Sequence, residues 1–138
     1  MDPVPRRWPK VLPDDIRERD ELALDNAAVL VRGGQFRIAH VLARAEACDR
    51  RLGFPGVSVA HAVTGRLTDL CKLSPRLLDY DECAVTTAGR VRQHFAIAPT
   101  GASPHFSIIL PSAEMASVRL LRDLFEVGLP LPPADWPR

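Results

Sequence analysis

Two segments of alternating apolar and polar residues flank a turn-rich stretch at residues 99–104, and this arrangement constrains the fold more than any other feature. Period-2 alternation predicts strands with one buried face, and a turn-rich link between them predicts a β-hairpin over about residues 90–110. Pairing Ala98 with His105 places the large apolar side chains on one face, whereas a one-residue slip would mix the faces. The predicted core face carries Phe95, Ile97, Phe106, Ile108 and Leu110.

The opposite face of this hairpin is polar and locally basic, because no acidic residue occurs between positions 86 and 112. Guanidinium, imidazole and hydroxyl groups are donors that bind phosphate oxygens. We therefore predict an anion-binding or nucleic-acid-binding surface, named here the basic hairpin face. It comprises Arg90, Arg92, His94, His105 and Ser107, with Thr100 and Ser103 of the turn beside it.

His94 and His105 are the candidate catalytic residues of the basic hairpin face. Imidazoles donate and accept protons, and a nearby guanidinium stabilises charge on a phosphoryl group without a metal. The segment from His105 to Ser107 resembles the His-x-Ser form of the two-histidine phosphoesterases, whereas Ala96 takes the hydroxyl position after His94. In the predicted register the two histidine Cα atoms lie about 13 Å apart, since a strand rises ~3.3 Å per residue. They reach one phosphate only if a bulge bends the hairpin.

The rest of the chain predicts helices around a short sheet. Asp14 is placed as the cap of a first helix that ends at Gly33-Gly34, and Phe36 to Leu52 forms a second. The remaining predicted elements are a strand over 57–60, short helices over 67–73 and 75–78, a strand over 83–85, and a last helix that starts after Ser112 and has Gly128 as its C′ residue. This order favours an α+β fold. We expect a small two-layer sandwich with an N-terminal helical hairpin, a short mixed sheet, and the C-terminal β-hairpin covered by the last helix.

The length of 138 residues, 46% of them hydrophobic and 25% charged, fits one globular domain. Prolines cluster at both ends of the chain. We therefore divide it into a Pro-rich N-terminal arm over 1–13, a single α+β domain over 14–128, and a Pro/Trp tail over 129–138.

Several classes of protein are excluded by composition. No apolar run approaches the roughly 18 residues of a membrane span, and no signal-peptide pattern opens the chain. Cys48, Cys71 and Cys83 lack C-x-x-C spacing and are interpreted as reduced core residues. No His and Cys set has metal-ligand spacing. We expect a cytoplasmic protein that does not associate with a membrane and holds no metal and no cofactor.

The formal net charge of +1 means that any charged partner must be recognised by a local patch. The preference for arginine over lysine is typical of GC-rich bacterial coding, so we do not take arginine abundance as evidence of phosphate binding. We predict a small bacterial protein-interaction module of accessory, regulatory or immunity type, without catalytic machinery. Its binding residues would be Glu18 and Glu21 on the first helix, with Trp8 and Trp136 in the two arms. The alternative is a metal-independent phosphodiesterase, a ribonuclease-like enzyme or an RNA-binding domain that uses the basic hairpin face.

Overall fold

The computed structural model of the chain describes residues 24–100 and 104–137. In this part of the chain, four α-helices and a 3₁₀ turn accompany one six-stranded sheet, so the fold is α+β as predicted. The strands are β1 (Val29–Gly33), β2 (Gly56–Ala62), β3 (Glu82–Thr87), β4 (Ala96–Ala98), β5 (His105–Ile109) and β6 (Glu126–Pro130). The helices are α1 (Ile38–Leu52), α2 (Leu67–Leu73), α3 (Ala88–Arg92) and α4 (Met115–Asp123), and the 3₁₀ turn is Pro75–Asp79.

The strand order across the sheet is β4-β5-β2-β1-β3-β6, and every pair of neighbours is antiparallel. The prediction of a mixed sheet is therefore wrong. Of the four helices, only α1 connects two neighbouring strands; α2, α3 and α4 each lie between strands that are not neighbours in the sheet, so no parallel ladder is formed.

Apolar clusters lie against both faces of the sheet. The main cluster joins Leu30, Val59 and Ile108 of the strands to Val41 of α1 and Val118 of α4. Successive side chains of a strand point to opposite faces, so the neighbour of Leu30 lies on the other face. There Val31, Ala62 and Cys83 pack against Leu70 and Cys71 of α2 and Leu77 of the 3₁₀ turn.

The predicted first helix is wrong at its C-terminal end, because Val29–Gly33 is strand β1. Leu30 and Val31 face opposite sides of a central strand, which hydrogen-bonds to β2 and β3. A short apolar run with two valines fits a buried strand as well as a helix, and here the pairing on both sides decides. The helical hairpin is therefore absent from the described residues, while α1 confirms its second helix. Positions 14–23 of the predicted helix lie outside the described residues.

The predicted β-hairpin is confirmed in its second arm and its core face, and is wrong in its first arm. All five residues of the predicted core face are buried in the main cluster. Only Ala96–Ala98 pairs with β5, and Ala98 lies opposite Ser107, a two-residue shift from the predicted register that keeps the same faces. The preceding residues form α3 because Thr87 caps a helical turn: its hydroxyl accepts from the backbone N–H of Arg90.

The predicted strands over 57–60 and 83–85 are confirmed as β2 and β3, and the two short helices as α2 and the 3₁₀ turn. The last helix is confirmed as α4, although its N-cap residue is Glu114 and not Ser112. The placement of Gly128 as a helix C′ residue is wrong, because it lies inside β6 with φ +79°. The sequence pattern misses β6 because this edge strand is mostly exposed and does not alternate. Trp136 is half-buried against the cluster that contains Leu70 and Cys71 of α2, so the end of the tail packs on the body.

Candidate functional site

Strands β1 and β2 separate partway along their length. Their ladder has three residue pairs, which run from Val29 opposite Ala62 to Val31 opposite Ala60. Beyond this point β1 continues to pair with β3, and β2 with β5. The sheet therefore has an opening between the carboxyl end of β1 and the amino end of β2.

Arg32 spans this opening. Its Nη1 donates a hydrogen bond to the carbonyl oxygen of Ser58 on the far strand, with a distance of 2.9 Å between the two atoms. Burial lowers the pKa of the Arg32 guanidinium; the nearby Tyr80 opposes this shift and the positive charge of Arg44 adds to it. A guanidinium keeps its charge in proteins. Arg32 therefore holds a half-buried positive charge between the two strands.

An open cleft of about 1140 Å³ occupies the opening and extends along α1. Its walls come from β1 and β2, from the loop that follows β1, from one side of α1, from the 3₁₀ turn with Tyr80, and from the start of β5. We name it the arginine cleft. Its volume is on the scale of a site for one small molecule.

The arginine cleft is strongly basic. It is lined by Arg32, Arg37, Arg44, Arg51 and Arg76, together with His40 and His105. None of the described lining residues is acidic. Within residues 24–100 and 104–137, no ion pair joins any of the five arginines to a carboxylate. Charges of one sign in a cleft with low-dielectric walls concentrate the field and attract an anion.

Three of these arginines share one side of α1 because of their spacing. Arg37, Arg44 and Arg51 are seven residues apart, which returns to nearly the same face after two helical turns. Arg37 immediately precedes the helix, and its Nε donates to Oε1 of Gln35 at 3.0 Å. The helix thus presents a row of guanidinium groups along the cleft.

The loop between β1 and α1 is held in an uncommon conformation. Phe36 has φ 51°, in the left-handed region that few non-glycine residues occupy, and Gly34 before it has φ 93°. The Phe36 ring packs on that of Phe125 with 5.0 Å between centroids, and Nε of Arg122 donates to the Phe36 carbonyl oxygen at 3.2 Å. These contacts from α4 and its C-terminal end fix the loop that forms one wall of the cleft.

A hydroxyl and imidazole network lies at the β5 end of the cleft. Nδ1 of His105 donates to the carbonyl oxygen of Thr100. The Thr100 hydroxyl is 3.2 Å from the same Nδ1 and 2.6 Å from the hydroxyl of Ser107, which is buried. A carbonyl oxygen can only accept, so this contact requires a proton on Nδ1.

The structure brings together only part of the predicted site. Thr100, His105 and Ser107 meet in the arginine cleft. The basic hairpin face as such does not form, because Arg90 and Arg92 lie on α3 and His94 follows that helix. None of these three lines the cleft, and Nη1 of Arg92 donates to Asn26 instead. Of the other predicted binding residues, Trp136 packs against the cluster that contains Leu70 and Cys71 of α2. The remaining candidates lie outside the described residues: Ser103, Glu18, Glu21 and Trp8.

Sequence reasoning missed the main charges of the cleft. Assigning β1 to a helix concealed Arg32, and Tyr80 falls between two predicted elements, the helix over 75–78 and the strand over 83–85. One signal was present in the sequence: the seven-residue spacing of Arg37, Arg44 and Arg51 predicts a basic stripe on the second helix. In the described part of the chain, no group of three or more His, Cys, Asp or Glu side chains is placed to hold a metal ion, and no helix there is long and apolar enough to cross a membrane.

No family model, no curated protein sequence and no solved structure matches this chain. The function is therefore argued from the cleft's own geometry and charge.

Proposed function

We infer that this protein binds a small phosphate-bearing polyanion in the arginine cleft. One observation carries the inference: five guanidinium groups line one cleft, and no carboxylate of the described residues pairs with any of them. Like charges that are gathered without counter-charges repel one another, and a bound anion removes that repulsion.

A chain of phosphates suits this cleft better than a single carboxylate. Guanidinium groups bind phosphate oxygens through two parallel hydrogen bonds, and several of them share the charge of a polyphosphate. Arg32 inside the opening and the row of arginines along α1 provide donors over the length of the cleft. A monovalent anion would leave most of these donors unused.

Titration calorimetry of the full chain with tripolyphosphate in low-salt buffer tests the proposal. We expect one binding event per chain, weakened as salt is raised because exposed charge pairs are screened. The double substitution Arg44→Gln with Arg51→Gln should lower the affinity by roughly four- to tenfold, because each change removes one exposed and partly screened charge from the cleft.

The matched control is Arg90→Gln with Arg119→Gln, which removes the same charge from exposed residues outside the cleft. This control should keep nearly the wild-type affinity after the general change in net charge. Equal losses in the two double variants, or no binding to the wild-type chain, would contradict the proposal.

Metal-independent hydrolysis of a phosphodiester is a second candidate, favoured by the position of His105 in the cleft. With Nδ1 held by the Thr100 carbonyl, Nε2 is placed as a proton-transferring atom. In such a step a water oxygen bonds to phosphorus and gives its proton to Nε2, the ester P–O bond breaks, and the leaving oxygen takes a proton from solvent water, to which Nε2 then returns its own proton. Cleavage of a 2′,3′-cyclic nucleotide that is lost in His105→Ala and kept in His94→Ala would support this; equal retention in both variants would eliminate it.

The protein-interaction module stays a prediction. Its acidic residues Glu18 and Glu21 and its Trp8 lie outside the described residues. Deletion of the tail from Leu129 is not a clean test, because it removes part of β6 and the buried Leu131. The substitutions Glu18→Gln and Glu21→Gln test the interaction hypothesis better. If neither substitution changes the formation of a complex with a protein partner, the hypothesis loses its support.

A further inference from the structure

Tyr80 lies at the rim of the arginine cleft. One side of its ring packs against Gly33, the last residue of β1, and Gly34, which follows it. A Cβ added to Gly33 would lie 2.4 Å from Cδ2 and 2.6 Å from Cε2 of Tyr80, and one added to Gly34 would lie 3.5 Å from Cδ1. One long edge of the ring therefore occupies the space that a Gly33 side chain would take, and the other edge lies near Gly34. Any side chain at Gly33 would push the ring from this seat.

The rest of the Tyr80 ring is open to solvent. The residue is 49% exposed although it is large and apolar, and it lines the cleft. It also lies near enough to Arg32 to affect the pKa of that guanidinium. The cleft thus has a seated aromatic ring at its rim with the positive charge of Arg32 near it.

The arginines and the Tyr80 ring are suited to two different parts of a single ligand. Arginines bind phosphates, and a supported aromatic face stacks on a flat heterocycle. A polyphosphate without a base would leave Tyr80 unused, and a neutral aromatic molecule would leave the arginines unused. The cleft volume of about 1140 Å³ is sufficient for one nucleotide.

We propose that the ligand of the arginine cleft is a nucleotide whose base stacks on the exposed side of Tyr80 while its phosphates contact the arginines. This inference rests on the proposed function, because it assigns the chemical class of the same ligand. Gly33 has a stated role in it: a side chain there would collide with the ring, so its absence lets Tyr80 pack on the end of β1 at the edge of the cleft.

The test compares ATP with tripolyphosphate, which carries a similar charge and no base, by titration calorimetry on the full chain in buffer without divalent cations. Wild type should bind ATP about tenfold more tightly, as expected from one base stacked on an aromatic side chain. Tyr80→Ala should remove this preference by weakening ATP binding alone, and Tyr80→Phe should keep it. Tyr80 is exposed, so these variants are expected to fold.

A second variant changes Gly33, against which the Tyr80 ring packs, and leaves Tyr80 itself unchanged. Gly33→Ala places a Cβ 2.4 Å from Cδ2 of Tyr80, which is too close for the ring to stay in place, so it should reduce the preference for ATP while Tyr80 remains present. Circular dichroism of this variant confirms that it is folded before binding is measured.

The possible results separate the two proposals. Equal affinity for ATP and tripolyphosphate in wild type would overturn the nucleotide assignment and leave anion binding in place. Binding of neither compound would overturn both. Tight binding of a hexanucleotide of RNA without binding of ATP would also overturn the assignment, in favour of a nucleic-acid surface.

Discussion

Arg32 on β1 and Ser58 on β2 are joined by a side-chain hydrogen bond at the level where the backbones of their strands have already separated. The guanidinium reaches across the gap between the two strands and has further N–H donors besides the one that Ser58 accepts. A strand opening that is crossed by a charged side chain places a positive group within the sheet, where solvent screening is reduced. This relationship defines the arginine cleft.

Position within the cleft should determine how much each arginine contributes to binding. We expect Arg32→Gln to lower tripolyphosphate affinity by about tenfold or more, because its half-buried charge is poorly screened. Arg76→Gln should cost roughly two- to threefold, since Arg76 is exposed and screened by water. Calorimetry on the two single variants measures the difference. Losses of equal size would show that Arg32 has no special place in the site.

The tautomer of His105 should be fixed by Thr100. Because Nδ1 faces a carbonyl oxygen, the neutral imidazole should carry its proton on Nδ1. Long-range ¹⁵N–¹H correlation spectra distinguish the two ring nitrogens directly. A spectrum with the proton on Nε2 would contradict the network at the β5 end of the cleft, and with it the second candidate function.

His61 should make the protein less stable in acid. Burial lowers its pKa below the ordinary value of 6.5, with Asp25 partly opposing the shift, and its ring lies edge-on to Phe106 with 6.0 Å between centroids. The unfolded chain therefore binds more protons than the folded one as pH falls through 6.5 and below, so the free energy of unfolding decreases in that range. Urea unfolding at pH 5 to 8 should show a shallower decrease for His61→Gln. Parallel curves for the two proteins would rule out this role.

The three cysteines should differ in reactivity. Burial, with the neighbouring Cys71 and Glu82, raises the pKa of Cys83 to about 11, and burial also raises the pKa of Cys71. The thiolate is the reactive form. A thiol reagent at pH 8 should modify Cys48 in the folded protein, and the other two only after unfolding. Since Cys48 lines the arginine cleft, tripolyphosphate should slow its modification; rapid labelling of Cys83 in the folded state would contradict the packing.

The parts of the fold that could be predicted are those fixed by local patterns. The period-2 alternation at 105–110 identified β5 and the core face of Phe106 and Ile108 correctly. The helical pattern of α1 was equally clear. Both depend on residues that are neighbours in sequence, where hydrophobic periodicity is informative.

The arginine cleft could not be predicted because it depends on pairing between distant segments. Arg32 reaches Ser58, 26 positions away, only after β1 has inserted between β2 and β3. Tyr80 reaches Gly33 across an even longer separation. A run such as Val29 to Val31 is compatible with a helix until its strand partners are known.

The most direct test of the central claim is an amide chemical-shift titration of the full chain with tripolyphosphate. The proposed site predicts that the perturbed amides concentrate at Gly33, Gly34 and Ser58, at the β5 residue Ser107, and along the arginine side of α1. Perturbations confined to α3 and His94, or an unchanged spectrum at saturating tripolyphosphate, would contradict the arginine cleft as the binding site.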